Sequence, residues 1–136
     1  CDLRIAAAHA RLGMPEVALD LPSVVEAALF PRMIGWGRTA WLLYRGDLID
    51  AGLAERWGLI EKCAKEGQLD AEVEELVERI LTNGPVGIRR QKALMRDWER
   101  MSLQDGILEG VDSIAEAFKT GEAGKYIAET LDGLKK

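Results

Sequence analysis

Gly13-Met14-Pro15-Glu16-Val17-Ala18-Leu19-Asp20-Leu21-Pro22-Ser23 is the stretch from which the rest of the chain can be read. It sets one carboxylate, Glu16, between Pro15 and a run of apolar residues. Pro15 fixes its own φ and biases Met14 towards extended backbone, so Glu16 is predicted at the end of a strand, projecting from a defined main chain. Enclosure among Met14, Val17 and Leu19 would desolvate it in part, which is how proteins tune carboxylates to move protons near neutral pH. A solvated loop carboxylate fits the same spacing.

Working outward, residues 3–7 and 11–14 read as two short strands joined by an Ala8-His9-Ala10 turn. After the Glu16 loop, Ser23-Val24-Val25-Glu26 has the S-x-x-E form of a capping box ahead of Ala27-Ala28-Leu29, with Pro31 ending that short helix. Residues 35–45 read as a helix with Trp36, Ala40, Trp41 and Leu43 or Tyr44 on its apolar side and Gly46 as its stop. Asp50 is a candidate N-cap for Ala51–Trp57, Gly58 a candidate residue after that helix, and 59–63 a short strand or extended exit.

From about residue 67 the pattern becomes helical. Leu69, Val73, Leu76, Val77, Ile80 and Leu81 form one apolar face, and Asn83-Gly84-Pro85 breaks it. A basic helix over 86–101 carries Arg89, Arg90, Lys92 and Arg96 opposite Ala93, Leu94 and Trp98. A third runs from Leu103 to Phe118, and residues 122–134 make the last. The predicted division is therefore 1–66 and 67–136. The stripes include Trp98, Phe118 and Tyr126, much apolar surface for a small bundle. A subunit interface and a single shared core both satisfy that pattern.

The 136 residues are 48% hydrophobic and 30% charged, the balance of one globular domain of ordinary size. No window approaches the roughly 18 apolar residues of a membrane span. The net charge of −5 argues against a general nucleic-acid binder, which needs a basic face. Cys1 and Cys63 are far apart, without a CxxC or His partner pattern, and read as reduced intracellular thiols or small core residues, which points to the cytoplasm. His9 is the single histidine. It and the cysteines offer too few soft ligands for a zinc site, and no metal is expected. The first residues, Cys1-Asp2-Leu3-Arg4-Ile5, read as a strand with few partners in this chain, as if a larger domain had been cut there.

The order Cys1-Asp2-Leu3-Arg4-Ile5-Ala6, Ala10-Arg11-Leu12-Gly13-Met14-Pro15-Glu16-Val17, Pro31-Arg32-Met33-Ile34-Gly35, Gly46-Asp47-Leu48-Ile49-Asp50-Ala51 and Trp57-Gly58-Leu59-Ile60 closely resembles the enoyl-CoA hydratase/isomerase (crotonase) family, C-terminal half. Ala117-Phe118-Lys119-Thr120-Gly121-Glu122-Ala123 is similar to that family's ending. The resemblance implies a truncated α/β crotonase-like fold: a few N-terminal strands of a spiral core (1–66, with the acid/base loop), then a mainly helical region (67–136) for oligomerisation. It implies an acyl-CoA thioester as substrate, coenzyme A entering as part of that substrate with no separate cofactor, and a homotrimer or dimer of trimers. Two backbone N–H groups hold the enolate oxyanion in this family, a preorganised electrostatic device.

Carried over by residue, Glu16 matches the glutamate of the family's Pro-Glu step, which moves the α-carbon proton. Ser23 matches the position whose backbone N–H helps hold the catalytic water. Met14, Leu19, Leu21, Pro22 and Val24 would line the acyl pocket, and Lys135 is the basic residue placed to meet the coenzyme A nucleotide. The basic helix could meet phosphates too, although charge runs on helices are usually solvated faces. The activity implied is hydration of a 2-enoyl-CoA. Double-bond isomerisation or other acyl-CoA enolate chemistry is the alternative, and a non-catalytic trimer-forming module the alternative from another class.

Three departures matter. The family's first catalytic glutamate and its Gly-rich oxyanion segment fall ahead of Cys1, so the isolated chain is expected to be inactive. Pro22-Ser23-Val24-Val25-Glu26-Ala27 stands where many members have Pro-Gly-x-Gly-Gly-Thr. That change introduces Glu26, either a second acid/base group or the partner of Ser23 in the capping box. Asp20 replaces a common glycine, for which the sequence offers no physical reason.

Overall fold

The computed structural model describes residues 1–133, and the chain divides into two compact units, Cys1–Leu76 and Val77–Lys136. In the first unit, β1 (Ile5–Ala7) and β2 (Arg11–Leu12) flank the Ala8-His9 turn, which Ala10 N–H closes on Ala7 O at 2.9 Å. The two strands do not pair with each other. β1 runs parallel to β4 (Lys62–Ala64), with Ala6 opposite Cys63, while β2 runs antiparallel to β3 (Ile49–Asp50). Parallel partners require a long crossover, and here the Glu16 loop and two helices supply it.

The first of these helices, α1 (Phe30–Arg45), has Pro31 in its first turn, where a missing N–H costs nothing. Pro31 thus opens a helix instead of ending one. Gly35 breaks α1 with φ 80° and ψ 159°, and the buried Thr39 hydroxyl donates to the Gly35 carbonyl at 2.8 Å. The regular helix beyond the break matches the expected 35–45. Its buried face is another matter. Thr39 and Leu42 point inward, whereas Trp36 and Tyr44 are 78% and 80% exposed. The aromatic stripe expected inside faces out, because Ile34 and Leu42 are the side chains that pack with Ile49, Ala51 and Ala54.

Gly46 ends α1 at φ 65°, its N–H bonding Leu42 O at 3.0 Å. Asp50 caps α2 (Ala51–Trp57) by accepting from the Leu53 N–H at 2.7 Å, and Gly58 follows at φ 79°. These two stops and one N-cap match their sequence signals. Ile34, Leu42, Ile49, Ala54, Leu59 and Ile60 form the core of this unit. Leu42 is wholly buried, so its truncation to alanine belongs to the costly class of core deletions, about 2–5 kcal/mol.

α3 (Leu69–Leu81) has the predicted limits, and Pro85 opens α4 (Pro85–Trp98). Ser102 caps α5 (Leu103–Lys119) by accepting from the Asp105 N–H at 3.1 Å, and α6 (Glu122–Gly133) follows. Within the second unit, α4 packs on α5 through Trp98, whose Nε1–H donates to Gly106 O at 3.2 Å. A Cβ on Gly106 would sit 2.9 Å from the Trp98 ring, so only glycine permits that seat. The outer stripes stay uncovered: Leu103, Val111, Ile114 and Phe118 are each more than half exposed. They are not resolved into one shared core. No described helix is long and apolar enough to cross a membrane.

Candidate active site

Glu16 lies in a 3-10 helix, Pro15–Leu19, directly after β2. Met14 takes φ −132° and ψ 85°, short of the extended region expected for it. Pro15 then starts helical turns instead of continuing a strand, because its fixed φ and missing N–H suit a first helical position. The turn is gripped from the segment after α1. A Cβ on Gly13 would lie 2.6 Å from Asp47 O, and one on Gly46 would lie 3.0 Å from Val17 Cγ1. Main chain meets main chain there, which fixes where Glu16 starts.

Asp20 closes the 3-10 helix in the left-handed region at φ 59°. That conformation favours glycine and tolerates Asp, which supplies the reason a glycine suits this position. The Asp20 N–H bonds Val17 O and the Leu21 N–H bonds Glu16 O, both at 3.2 Å. The chain then turns back, and Ser23 Oγ–H donates to Glu16 Oε2 at 2.8 Å. Glu16 is thus held twice by the loop that follows it, once at its carbonyl and once at its carboxylate. Both side chains are half-buried.

The capping box does not form. The second 3-10 helix, Val25–Leu29, has Val24 at its N-cap and no side-chain cap bond, because the Ser23 hydroxyl is committed to Glu16. Glu26 is exposed in the first turn, and among the described residues no hydrogen bond joins it to Glu16 or Ser23. Val25 takes φ 50°, a costly conformation for a β-branched residue. It stands where the resembling Gly-rich run has a glycine.

The apolar enclosure expected of this loop is not supplied by the described residues. Val17 is 43% and Leu19 74% exposed, and Leu21, Pro22 and Val24 are exposed as well, while Met14 is half-buried. Lys135 lies outside the described residues. His9 is far from burial and faces Glu66, Nδ1 to Oε1 at 3.5 Å. A cavity of about 190 Å³ occurs between α4 and α5, lined by Arg90, Leu94, Asp97, Glu109, Asp112 and Glu116. Its carboxylates make it a poor seat for a phosphate, and none of the expected site residues reaches it.

Residues 1–130 match the enoyl-CoA hydratase/isomerase family. The chain belongs to that family. It is 34% identical to the crotonyl-CoA hydratase of Syntrophomonas wolfei over 99% of its own length and 52% of the relative's. It is 28% identical to the short-chain-enoyl-CoA hydratase of Clostridium acetobutylicum over 88% of its length and 46% of the relative's. Among solved structures, the enoyl-CoA hydratase of Bacillus anthracis superposes with a TM-score of 0.80 at 32% identity, covering 85% of this chain and 45% of that one. The enoyl-CoA hydratase of Thermoplasma volcanium superposes with a TM-score of 0.84 over 95% of this chain and 51% of that one, at 19% identity, a likeness of fold alone. The chain spans about half the length of the relatives it matches. Its few short strands followed by helices are thus part of a crotonase-type fold, as the sequence led one to expect.

What sequence reasoning missed is the Ser23 hydroxyl on Glu16. The two are seven residues apart, and the contact depends on the turn at Asp20 after the short 3-10 helix and not on one continuous helix or strand.

Proposed function

We propose that this chain is the acid/base-bearing, C-terminal portion of an enzyme that adds water across the double bond of a 2-enoyl-CoA, giving a 3-hydroxyacyl-CoA. The observation that carries it is Glu16, fixed at both main chain and carboxylate by the loop that follows it, in a chain of this family. In the forward reaction the water oxygen bonds to the β carbon while the carbon–carbon π pair moves to the α carbon. Glu16 in its protonated form delivers the proton there, and the family's first catalytic glutamate, expected ahead of Cys1, takes the proton that the attacking water gives up. Glu16 removes the α-carbon proton in reverse, which is general acid–base catalysis with one residue in both roles. The Ser23 N–H holds the water, and Met14, Leu19, Leu21, Pro22 and Val24 contact the acyl chain.

The amides that hold the thioester oxyanion are expected ahead of Cys1, so the 136 residues by themselves are proposed to be inactive. The uncovered stripes of the second unit support assembly into a homotrimer or dimer of trimers. Coenzyme A arrives as part of the substrate. The cytoplasmic setting stays part of the proposal, with Cys1 and Cys63 both free thiols.

Crotonyl-CoA presented to the protein at the family's full length tests the reaction class. Loss of the enoyl-thioester absorbance, with 3-hydroxybutyryl-CoA as product, is the expected result. Turnover of a 3-enoyl-CoA without water addition would place the protein among the isomerases instead. No reaction with either would leave the assembly module.

A further inference from the structure

We infer that the Ser23 side chain is a positioning residue for proton transfer: its hydroxyl fixes the Glu16 carboxylate in the orientation that faces the substrate's α carbon. The inference rests on the reading of Glu16 as the acid/base group and goes beyond the water-holding part given to the Ser23 amide. The hydroxyl donates to Glu16 Oε2 at 2.8 Å and takes no part in capping the helix that follows.

The bond occupies one carboxylate oxygen and leaves Oε1 as the oxygen that carries the moving proton. A carboxylate on an open loop otherwise rotates about three side-chain bonds. Its neighbours Val17 and Leu19 are exposed and give the half-buried Glu16 little apolar enclosure. The chain turns back towards Glu16 at Asp20, in the left-handed region at φ 59°. Serine at this position thus replaces shape restraint by a hydrogen bond.

The test uses the full-length protein with Ser23→Ala, Ser23→Thr, Glu16→Gln and the Ser23→Ala/Glu16→Gln double variant. The readouts are kcat and KM for crotonyl-CoA, and the rate at which deuterium from D2O enters the α position. Ser23→Ala is expected to lower kcat and deuterium entry about ten-fold with KM unchanged, inside the loss of up to about 100-fold that misplacing a reacting group by 1 Å can cause. Ser23→Thr, which keeps the hydroxyl, is expected to restore most of the rate. In the Glu16→Gln background, removal of the Ser23 hydroxyl should cost nothing further. If Glu16→Gln is severely impaired while Ser23→Ala matches the parent, or if Ser23→Ala still costs ten-fold in the Glu16→Gln background, the positioning role is overturned and the acid/base reading stands. If Glu16→Gln retains full activity, the acid/base reading falls, and this inference with it. Circular dichroism and thermal midpoints of each variant separate misfolding from misalignment, and Ser23→Thr repeats the question in a variant that keeps the bond.

Discussion

With Ser23 bonded to Glu16, Glu26 has no cap to complete and, among the described residues, no hydrogen bond to Glu16 or Ser23. It sits exposed at the start of a short 3-10 helix. Glu26→Gln in the full-length protein should therefore leave kcat for crotonyl-CoA within about two-fold and stability within about 0.5 kcal/mol, as for surface substitutions without a special contact. A fall of ten-fold or more in kcat, read in the same assay, would make Glu26 a second proton-transfer group. Two opposed signals compete in Ser23-Val24-Val25-Glu26. Its S-x-x-E spacing indicates a capping box, yet the cap needs Ser23 at the helix entry, and the Asp20 and Val25 turns move it away. Local sequence shows the motif but not the competing acceptor. Glu16 itself was legible as a residue held on defined backbone. Its setting in a 3-10 helix was not, since proline serves a strand end and a helix start equally well.

At the scale of elements, the Glu16 turn depends on Gly13 and Gly46. Gly13→Ala places a Cβ 2.6 Å from a backbone oxygen of Asp47, which no side-chain rotation relieves. It should lower stability by about 1–3 kcal/mol, in the range of overpacking, and cut activity by displacing Glu16. Urea denaturation followed by circular dichroism reads the first effect, and an unchanged midpoint would show that the 46–48 segment is free to yield. The pairing of β1 with β4 carries a pH dependence. Both the backbone N–H and the guanidinium of Arg4 donate to the Glu61 carboxylate. The side-chain hydrogen bond from Arg4 is the largest influence holding that carboxyl below its ordinary range. A carboxyl depressed by folding adds stability above its unfolded pKa and loses it as pH falls through the folded value. The pair is about one-third exposed on both sides, 31% and 36%, so water screens it and the contribution is below about 1 kcal/mol. Glu61→Gln should show a shallower loss of stability on acidification than the parent, measured as denaturation midpoints from neutral pH to the acid side of the carboxylate range. Parallel curves would remove Glu61 from the account. The caps at Gly46, Asp50 and Gly58, and the limits of α3, were legible because each has a local cause. The strand pairing was not, because Ile5 and Lys62 meet across a crossover that no local pattern encodes.

At the scale of the molecule, the ordered motifs made the family legible over nearly the whole chain, and residues 1–130 match it. The outward stripe of Trp36 and Tyr44 was less so. Hydrophobic periodicity marks a face for burial without saying what buries it, and here the chain leaves that face open. The same ambiguity holds for the sequence of α5, whose pattern suits an interface and a private core alike, while the structure leaves its stripe exposed. The chain spans about half the length of these relatives, and the proposal for the molecule is that Glu16 moves the α-carbon proton. The measurement that reaches that claim most directly is the hydration of crotonyl-CoA by the full-length protein with Glu16 replaced by glutamine, an isostere that cannot give up or take the proton. A drop in kcat of at least about 100-fold, with folding intact and KM little changed, is the expected result for loss of a general acid/base. Full activity in Glu16→Gln would contradict it.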